Sequence, residues 1–408
     1  MMTLIRKHQL EMLVLLSTGI GFFISIEVGV LFGLSNKTDS YLTAIALVNF
    51  LSLLTQLTWE TINIDYIGEK RSVKNTLFSS HLFSTLFTIF LVCISFLFFE
   101  NKILSLLGLS SVKSGIWFIV LFIFLFCLFT YLKRIAFCEE DVFTFYFSEL
   151  LYQSFVCMIV LMCYFLELEL IVANVIALSL SIAYLFTCIY WKYGLRIARI
   201  DLCLIKRGAV GSVKLKVGAF FYSLKDILLP VLLMRYGDGI YTLYNYMSKI
   251  FTSLLTVLVL PHVNNFAIES LKNIKNNAKT VFKDANDNSL KYTIKYAISS
   301  VFFFIFFVVF AQSIVDVDIS FLFLMSTCIL LFNMVICYEQ FYARLVYNFK
   351  MYNYILFVNV LFGSLFYIII KVSGLSVERC LVMVVFLQVM NCTLYYIKVK
   401  GRIASESN

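Results

Sequence analysis

The chain has 408 residues, 61% of them hydrophobic and 17% aromatic, with only 14% charged and a formal net charge of +9. Its mean hydropathy of +0.92 excludes a soluble globular fold, which would have too few polar side chains to cover its surface. The charges sit in short clusters separated by continuous apolar runs of about 20 residues, the length that crosses a bilayer core, so the chain is read as helical spans and not as a barrel.

In chain order, spans are predicted at 10–32, 40–63, 76–99, 115–137, 142–165, 170–191, 213–235, 239–262, 292–313, 319–342, 351–371 and 376–397. The first run lacks a small-residue cleavage site and is too long for a signal-peptide core, so it is expected to remain a span. Twelve spans put both termini on one side. With that side inside, cytoplasmic segments hold 25 Lys and Arg, including seven from Lys192 to Lys216 and six from Lys272 to Lys295, against 6 in the outer segments. Basic residues favour cytoplasmic loops, so both termini are expected in the cytoplasm.

The basic loops lack interleaved aromatics, which argues against nucleic acid; attraction to anionic lipid headgroups is expected of them. The eleven cysteines lie mostly inside apolar runs without paired spacing and read as small buried residues. His8, His81 and His262 share no metal-ligand spacing, and no Ser/His/Asp or paired-carboxylate arrangement stands out, so neither a metal nor an enzyme is expected.

The two halves of the chain resemble one another. FFISIE at 22–27 matches FFYSLK at 220–225, and TDSYL at 38–42 parallels GDGIYTL at 237–243, which sets Glu27 opposite Lys225 and Asn49 opposite Lys249. The expected division is a six-helix lobe over 1–200 and another over 201–408, around a central cavity, with the substrate site near mid-membrane as in other duplicated transporters.

Two equivalent spans carry polar stripes. Thr242, Asn245, Lys249, Thr252 and Thr256 recur at steps of three and four, as do Asn49, Ser52, Gln56, Glu60 and Asn63, so each set shares one helix face. Ser, Thr, Asn and Gln in spans are often packing residues. A mid-span lysine differs, because it costs roughly 2.5 to 3.5 kcal/mol and usually faces a bundle interior or a watered cavity. Lys225 and Lys249 lie too deep to reach an interface and are candidate cavity cations, with Asn245, Thr252, Asn49, Ser52 and Gln56 lining the same path. Lys225 and Asp226 are about 100° apart on a helix and cannot neutralise one another. Glu27, Asp226 and Glu60 are the candidate coupling or counter-charge acids, with Glu27 the expected partner of Lys225. Glu339 lies close enough to a predicted helix end to be interfacial.

GLSNKTDSYLTAIALVNFLSLLTQLTWETIN in the first half and LPVLLMRYGDGIYTLYNYMSKIFTSLLTVLVLPHVNN in the second resemble polysaccharide flippases of the Wzx type. They also resemble lipid II flippases and MATE transporters of the same multidrug/oligosaccharidyl-lipid/polysaccharide exporter (MOP) superfamily. The shared pieces are a short Gly-containing loop with an Asp, a helix entering with small and aromatic residues, and a proline ending the eighth span at Pro261. The resemblance implies an all-α polytopic fold of two pseudo-repeated lobes in a bacterial inner membrane. It implies transport of an undecaprenyl-pyrophosphate-linked oligosaccharide, an O-antigen or capsular repeat unit, with no cofactor beyond coupling to a proton or sodium ion. A polysaccharide polymerase and assembly proteins would be its partners. A multidrug antiporter of the same superfamily is the nearest alternative, followed by a membrane enzyme of polysaccharide assembly; central lysines argue against a site for cationic drugs.

Overall fold

The computed structural model describes residues 2–55, 66, 69–106, 116–139, 141–273, 278–314, 318–349, 351–373 and 376–406. Every regular element among them is helical. They are α1 (Met2–Phe32), α2 (Asn36–Thr55), α3 (Arg71–Leu106), α4 (Ile116–Cys138), α5 (Val142–Phe165), α6 (Leu170–Thr187), α7 (Leu202–Tyr222), α8 (Leu224–Tyr236), α9 (Ile240–Leu258), α10 (Leu260–Asn273), α11 (Ala278–Ile314), α12 (Ile319–Asn348), α13 (Tyr352–Ser373) and α14 (Val377–Glu406). Hydrocarbon offers no partner to backbone N–H and C=O groups, which is why the apolar runs take the one local structure that satisfies them internally.

Ten helical segments among the described residues are long and apolar enough to cross a membrane, so this is a multi-pass membrane protein. They match ten of the twelve expected spans. The other two, 239–262 and 292–313, are helical as well, in α9–α10 and α11, but fall outside those ten. The span expected at 213–235 is broken: α7 stops at Tyr222, Ser223 turns, and α8 starts at Leu224 with Pro230 inside it. Pro261 does not end its helix as expected. It sits in the first turn of α10, where its missing N–H costs nothing, and the chain stays helical to Asn273.

The described residues form two compact units, one of 1–220 with 226–242 and one of 221–225 with 243–408. The expected division at residue 200, set by sequence duplication, therefore differs from the packing: most of 201–242 belongs with the first unit. In that unit α4 is the central helix, packed on α2, α3, α5 and α6, with Ile119, Ile123, Cys127, Tyr131, Leu132 and Ile135 fully enclosed. In the second unit α12 is central, packed on α10, α11, α13 and α14, and Phe341, Tyr342, Leu345 and Val346 lie in its core with Val259, Val263 and Val399. The eleven cysteines form no disulfide, and most are buried.

Two glycines permit close backbone approach. Gly239, at φ +81°, lies against Leu34, whose atoms would stand 2.7 to 2.8 Å from an added Cβ. At Gly363 on α13, an added Cβ would come within 2.1 Å of the Phe221 carbonyl oxygen, at the end of α7.

After α6, one π turn (Cys188–Lys192) leads into an extended linker. Lys192, Tyr193 and Thr144 all donate to Asp141. Burial pushes the Asp141 carboxyl up, but hydrogen bonds from Lys192, Thr144 and Tyr193 outweigh it and bring it down to about 2. Its folded pKa is depressed, so its contribution is complete above the ordinary value of 3.8 and is lost as pH falls through about 2.

Two outcomes follow from this packing. Gly363→Ala should lower the thermal midpoint of detergent-purified protein, by about 1 to 3 kcal/mol of overpacking, whereas alanine at Gly19, which has nothing within 4 Å, should not. Asp141→Asn should leave the protein folded at neutral pH while speeding tryptic cleavage after Arg196 and Arg199; an unchanged cleavage rate would show that Asp141 does not hold the linker.

Candidate functional site

Lys225 and Asp226 both lie in the first turn of α8, just after the break at Ser223, and point about 100° apart. Lys225 is buried, 8% exposed, and Asp226 is exposed. Pro230 has no N–H, so the Asp226 carbonyl lacks the donor that an unbroken helix supplies four residues on. In the second unit the Lys225 ammonium stands 4.4 Å from the Tyr222 ring centroid and 5.8 Å from that of Phe332, both within cation–π range. The Tyr222 hydroxyl donates to Gln388 Oε1 at 3.0 Å. Gln388 Nε2 donates to Glu339 Oε2 at 2.6 Å, and Asn391 Nδ2 donates to Glu339 Oε1 at 3.1 Å. Lys225 in turn acts on Glu339 through its charge. These five residues form a polar circuit across α7, α8, α12 and α14.

Glu339 is an acid within electrostatic reach of Lys225 in this unit. The predicted span ended at 342, but α12 continues to Asn348 and leaves Glu339 nine residues inside the helix.

The expected stripe on α9 is present and its direction is defined. Leu243, Met247, Phe251 and Leu255 are buried. Asn245, Lys249 and Thr256 are half-buried and Thr252 is exposed. At about 100° per residue the stripe is centred opposite the buried apolar face, so it points away from the core against which α9 packs. Asn245 Oδ1 is buried without a hydrogen-bond partner among the described residues.

Thr242 departs from the rest of the stripe. It is fully buried, and its N–H and hydroxyl both donate to Asp39 Oδ1, while the Gly239 N–H donates to Oδ2; the two backbone bonds are 2.8 Å. Asp39, 1% exposed in the first turn of α2, therefore supplies from another helix the cap that the orphan N–H groups at the start of α9 require. The sequence reading missed this role. Its signal was TDSYL lying parallel to GDGIYTL, an acid in each matched turn.

On α2, Asn49 is exposed and Ser52 is buried, its hydroxyl donating to the Asn49 carbonyl at 2.6 Å within the same helix. Gln56 and Glu60 lie outside the described residues. Glu27, on α1, is 7% exposed. No nitrogen or oxygen donor among the described residues reaches either of its oxygens; the Cys157 thiol of α5 is its hydrogen-bonding neighbour. Gln153, one turn before Cys157, also leaves its Oε1 buried without a partner. Beside them runs a chain from the Tyr152 hydroxyl to Asn174 Oδ1, and from Asn174 Nδ2 to the Tyr41 oxygen, both 2.7 Å. Among the described residues no cluster of His, Cys, Asp and Glu could hold a metal ion.

No family model and no curated protein matches the sequence. Solved structures do match. An inward-facing multidrug resistance MATE family transporter of the MOP superfamily superposes with a TM-score of 0.70 at 11% identity, over 97% of this chain and 95% of its own. The lipid II flippase MurJ, in an inward closed conformation, superposes with a TM-score of 0.75 at 14% identity, over 96% of this chain and 87% of its own. The fold is that of the MATE transporters and MurJ. A mutant of the Vibrio cholerae MATE transporter VcmN agrees, with a TM-score of 0.66 at 9% identity over 98% of this chain and 96% of its own.

The circuit around Lys225 yields a prediction. Lys225→Gln removes the cation that stands over the Tyr222 and Phe332 rings near Glu339 and should lower the thermal midpoint. Lys225→Gln combined with Glu339→Gln should recover most of that loss, because both charges are then gone. Thermal midpoints measured by size-exclusion chromatography after heating check this; equal midpoints for the single variant and the parent would contradict it.

Proposed function

We propose that the protein is a flippase that carries an undecaprenyl-pyrophosphate-linked oligosaccharide, an O-antigen or capsular repeat unit, across the bacterial inner membrane by alternating access, with both termini in the cytoplasm. The observation that carries the proposal is the direction of the α9 stripe, with Lys249 in mid-helix on the face opposite the core. A polar, cationic face turned outward at membrane depth needs water beside it. A wet cationic passage suits a substrate whose tail stays in lipid while its diphosphate and sugars must cross.

Lys249 is the residue for the diphosphate, and Asn245 and Thr252 on the same helix offer hydrogen bonds to sugar hydroxyls. Lys225, committed to Glu339 and Tyr222, holds the broken helix. Glu27, buried and without a nitrogen or oxygen donor among the described residues, is the proposed carrier of the coupling proton or sodium ion; no other cofactor is needed. The fold serves a lipid II flippase and multidrug transporters alike. Lys249 favours the former, because a site for cationic drugs would place an acid there. Glycan polymerase and assembly proteins are the proposed partners.

Lys249→Gln should reduce glycan display in a flippase-deficient cell, normalised to folded protein, by about tenfold or more, the scale of one charge-assisted hydrogen bond. Lys249→Arg should retain more display than Gln because it keeps the charge and adds a fork suited to phosphate. Normal display from Lys249→Gln would end the reading of Lys249 as the diphosphate residue; cationic-drug resistance conferred by the parent chain, without any glycan display, would favour the antiporter.

A further inference from the structure

The linker that follows α6 lies outside the apolar spans on either side, which end at Lys192 and begin at Lys216. Its backbone is nonetheless fixed. Leu195 is buried. The N–H groups of Arg196, Ala198 and Asp201 donate to Asn75 Oδ1, Ser79 Oγ and Ser80 Oγ at 3.1, 2.7 and 2.8 Å, so the first turns of α3 hold the linker as a strap.

The strap shows outward a combination that suits neither water nor hydrocarbon alone. Trp191 is 78% exposed, Ile197 84% and Leu202 70%, far more apolar surface than a solvated loop of this length would present. Interleaved with them are Arg196, Arg199 and Lys206, all exposed, which a span would not carry. The acids within reach are already engaged. Asp141 is taken by Lys192, Tyr193 and Thr144, and Asp201 Oδ1 accepts the Cys203 N–H. Three exposed cations and three exposed large apolar side chains therefore alternate along a short segment whose backbone is tied to α3.

We propose that Trp191–Lys206 is a docking surface for the headgroups of acidic phospholipids. The apolar side chains enter the boundary between headgroups and acyl chains, where tryptophan is favoured, and the three cations meet lipid phosphates. Each basic residue at such a surface strengthens attachment roughly fivefold. A purely acidic protein partner would explain the cations but not the exposed tryptophan, isoleucine and leucine; a neutral bilayer would explain the apolar residues but not the cations. The strap thereby anchors the end of α6 and the start of α7 at the headgroup level, whatever substrate is carried.

The test uses the full-length chain with Trp59→Phe and Trp117→Phe, leaving Trp191 as the only tryptophan, reconstituted into vesicles containing phosphatidylcholine and phosphatidylglycerol. Bromine is placed on the acyl chains of one lipid or the other at equal mole fraction. Brominated phosphatidylglycerol should quench Trp191 at least about twofold more than brominated phosphatidylcholine. The ratio should fall toward one in a variant with Arg196→Gln, Arg199→Gln and Lys206→Gln, and inorganic phosphate should leave it unchanged. Equal quenching by the two lipids in the parent, a ratio unaffected by the triple substitution, or loss of the preference on adding inorganic phosphate would each overturn the proposal. So would absence of quenching by either lipid, which would leave the strap to water or to a protein.

Discussion

A charge in hydrocarbon must be paired or wetted, and that constraint organises the interior of this protein. The cost of an unrelieved mid-membrane charge, a few kcal/mol on insertion scales, is comparable with much of a protein's net stability. Two lysines meet the requirement differently. Lys225 is enclosed by the rings of Tyr222 and Phe332 and opposed by Glu339, which Gln388 and Asn391 hold in place. Lys249 is half-buried on the face of α9 opposite its buried apolar side. The first arrangement fixes structure; in the proposed function the second offers a cation to a substrate's phosphates.

The same constraint governs the backbone. A helix break at membrane depth is tolerated only where other groups take over the freed donors and acceptors. At the start of α9 the replacement is the Asp39 carboxylate, which receives Gly239 and Thr242. At Ser223 the chain turns where Gly363 lets α13 approach the Phe221 carbonyl closely. Val259, between α9 and α10, keeps its N–H bonded to Leu255, while its carbonyl accepts from His262 and Val263 across the junction. Each interruption is supported by a specific residue.

Much of this was legible in the sequence because two signals are strong. Continuous apolar runs mark the spans, and a 3.6-residue polar period on α9 marks a face whose orientation then follows from the buried Leu243, Met247, Phe251 and Leu255. The break at Ser223 was not legible, since Tyr222-Ser223-Leu224 contains no glycine or proline and the nearby Pro230 lies about two turns later. The end of α12 was placed too early because its last turns, from Tyr338 to Asn348, are polar enough to resemble a loop although they pack into the second unit's core through Phe341, Tyr342 and Leu345. Asp39 was overlooked because an acid at the mouth of a span has an ordinary interfacial explanation, and only the fold brings the Gly239 turn to it.

Transport of the proposed kind requires that the α9 stripe meet water at membrane depth. Single cysteines placed at Asn245, Lys249, Thr252 and Thr256, and in comparison at Met247, Phe251 and Leu255, in a chain whose other accessible cysteines are replaced, can be challenged with a small water-soluble maleimide in intact vesicles. The account predicts rapid labelling at the first four positions and little at the last three, with excess lipid-linked diphosphate slowing the reaction at 245 and 252, where Lys249 is retained. Unreactive cysteines along the stripe, or quenching of probes there by lipid-borne nitroxides, would show that it faces lipid and would contradict the account.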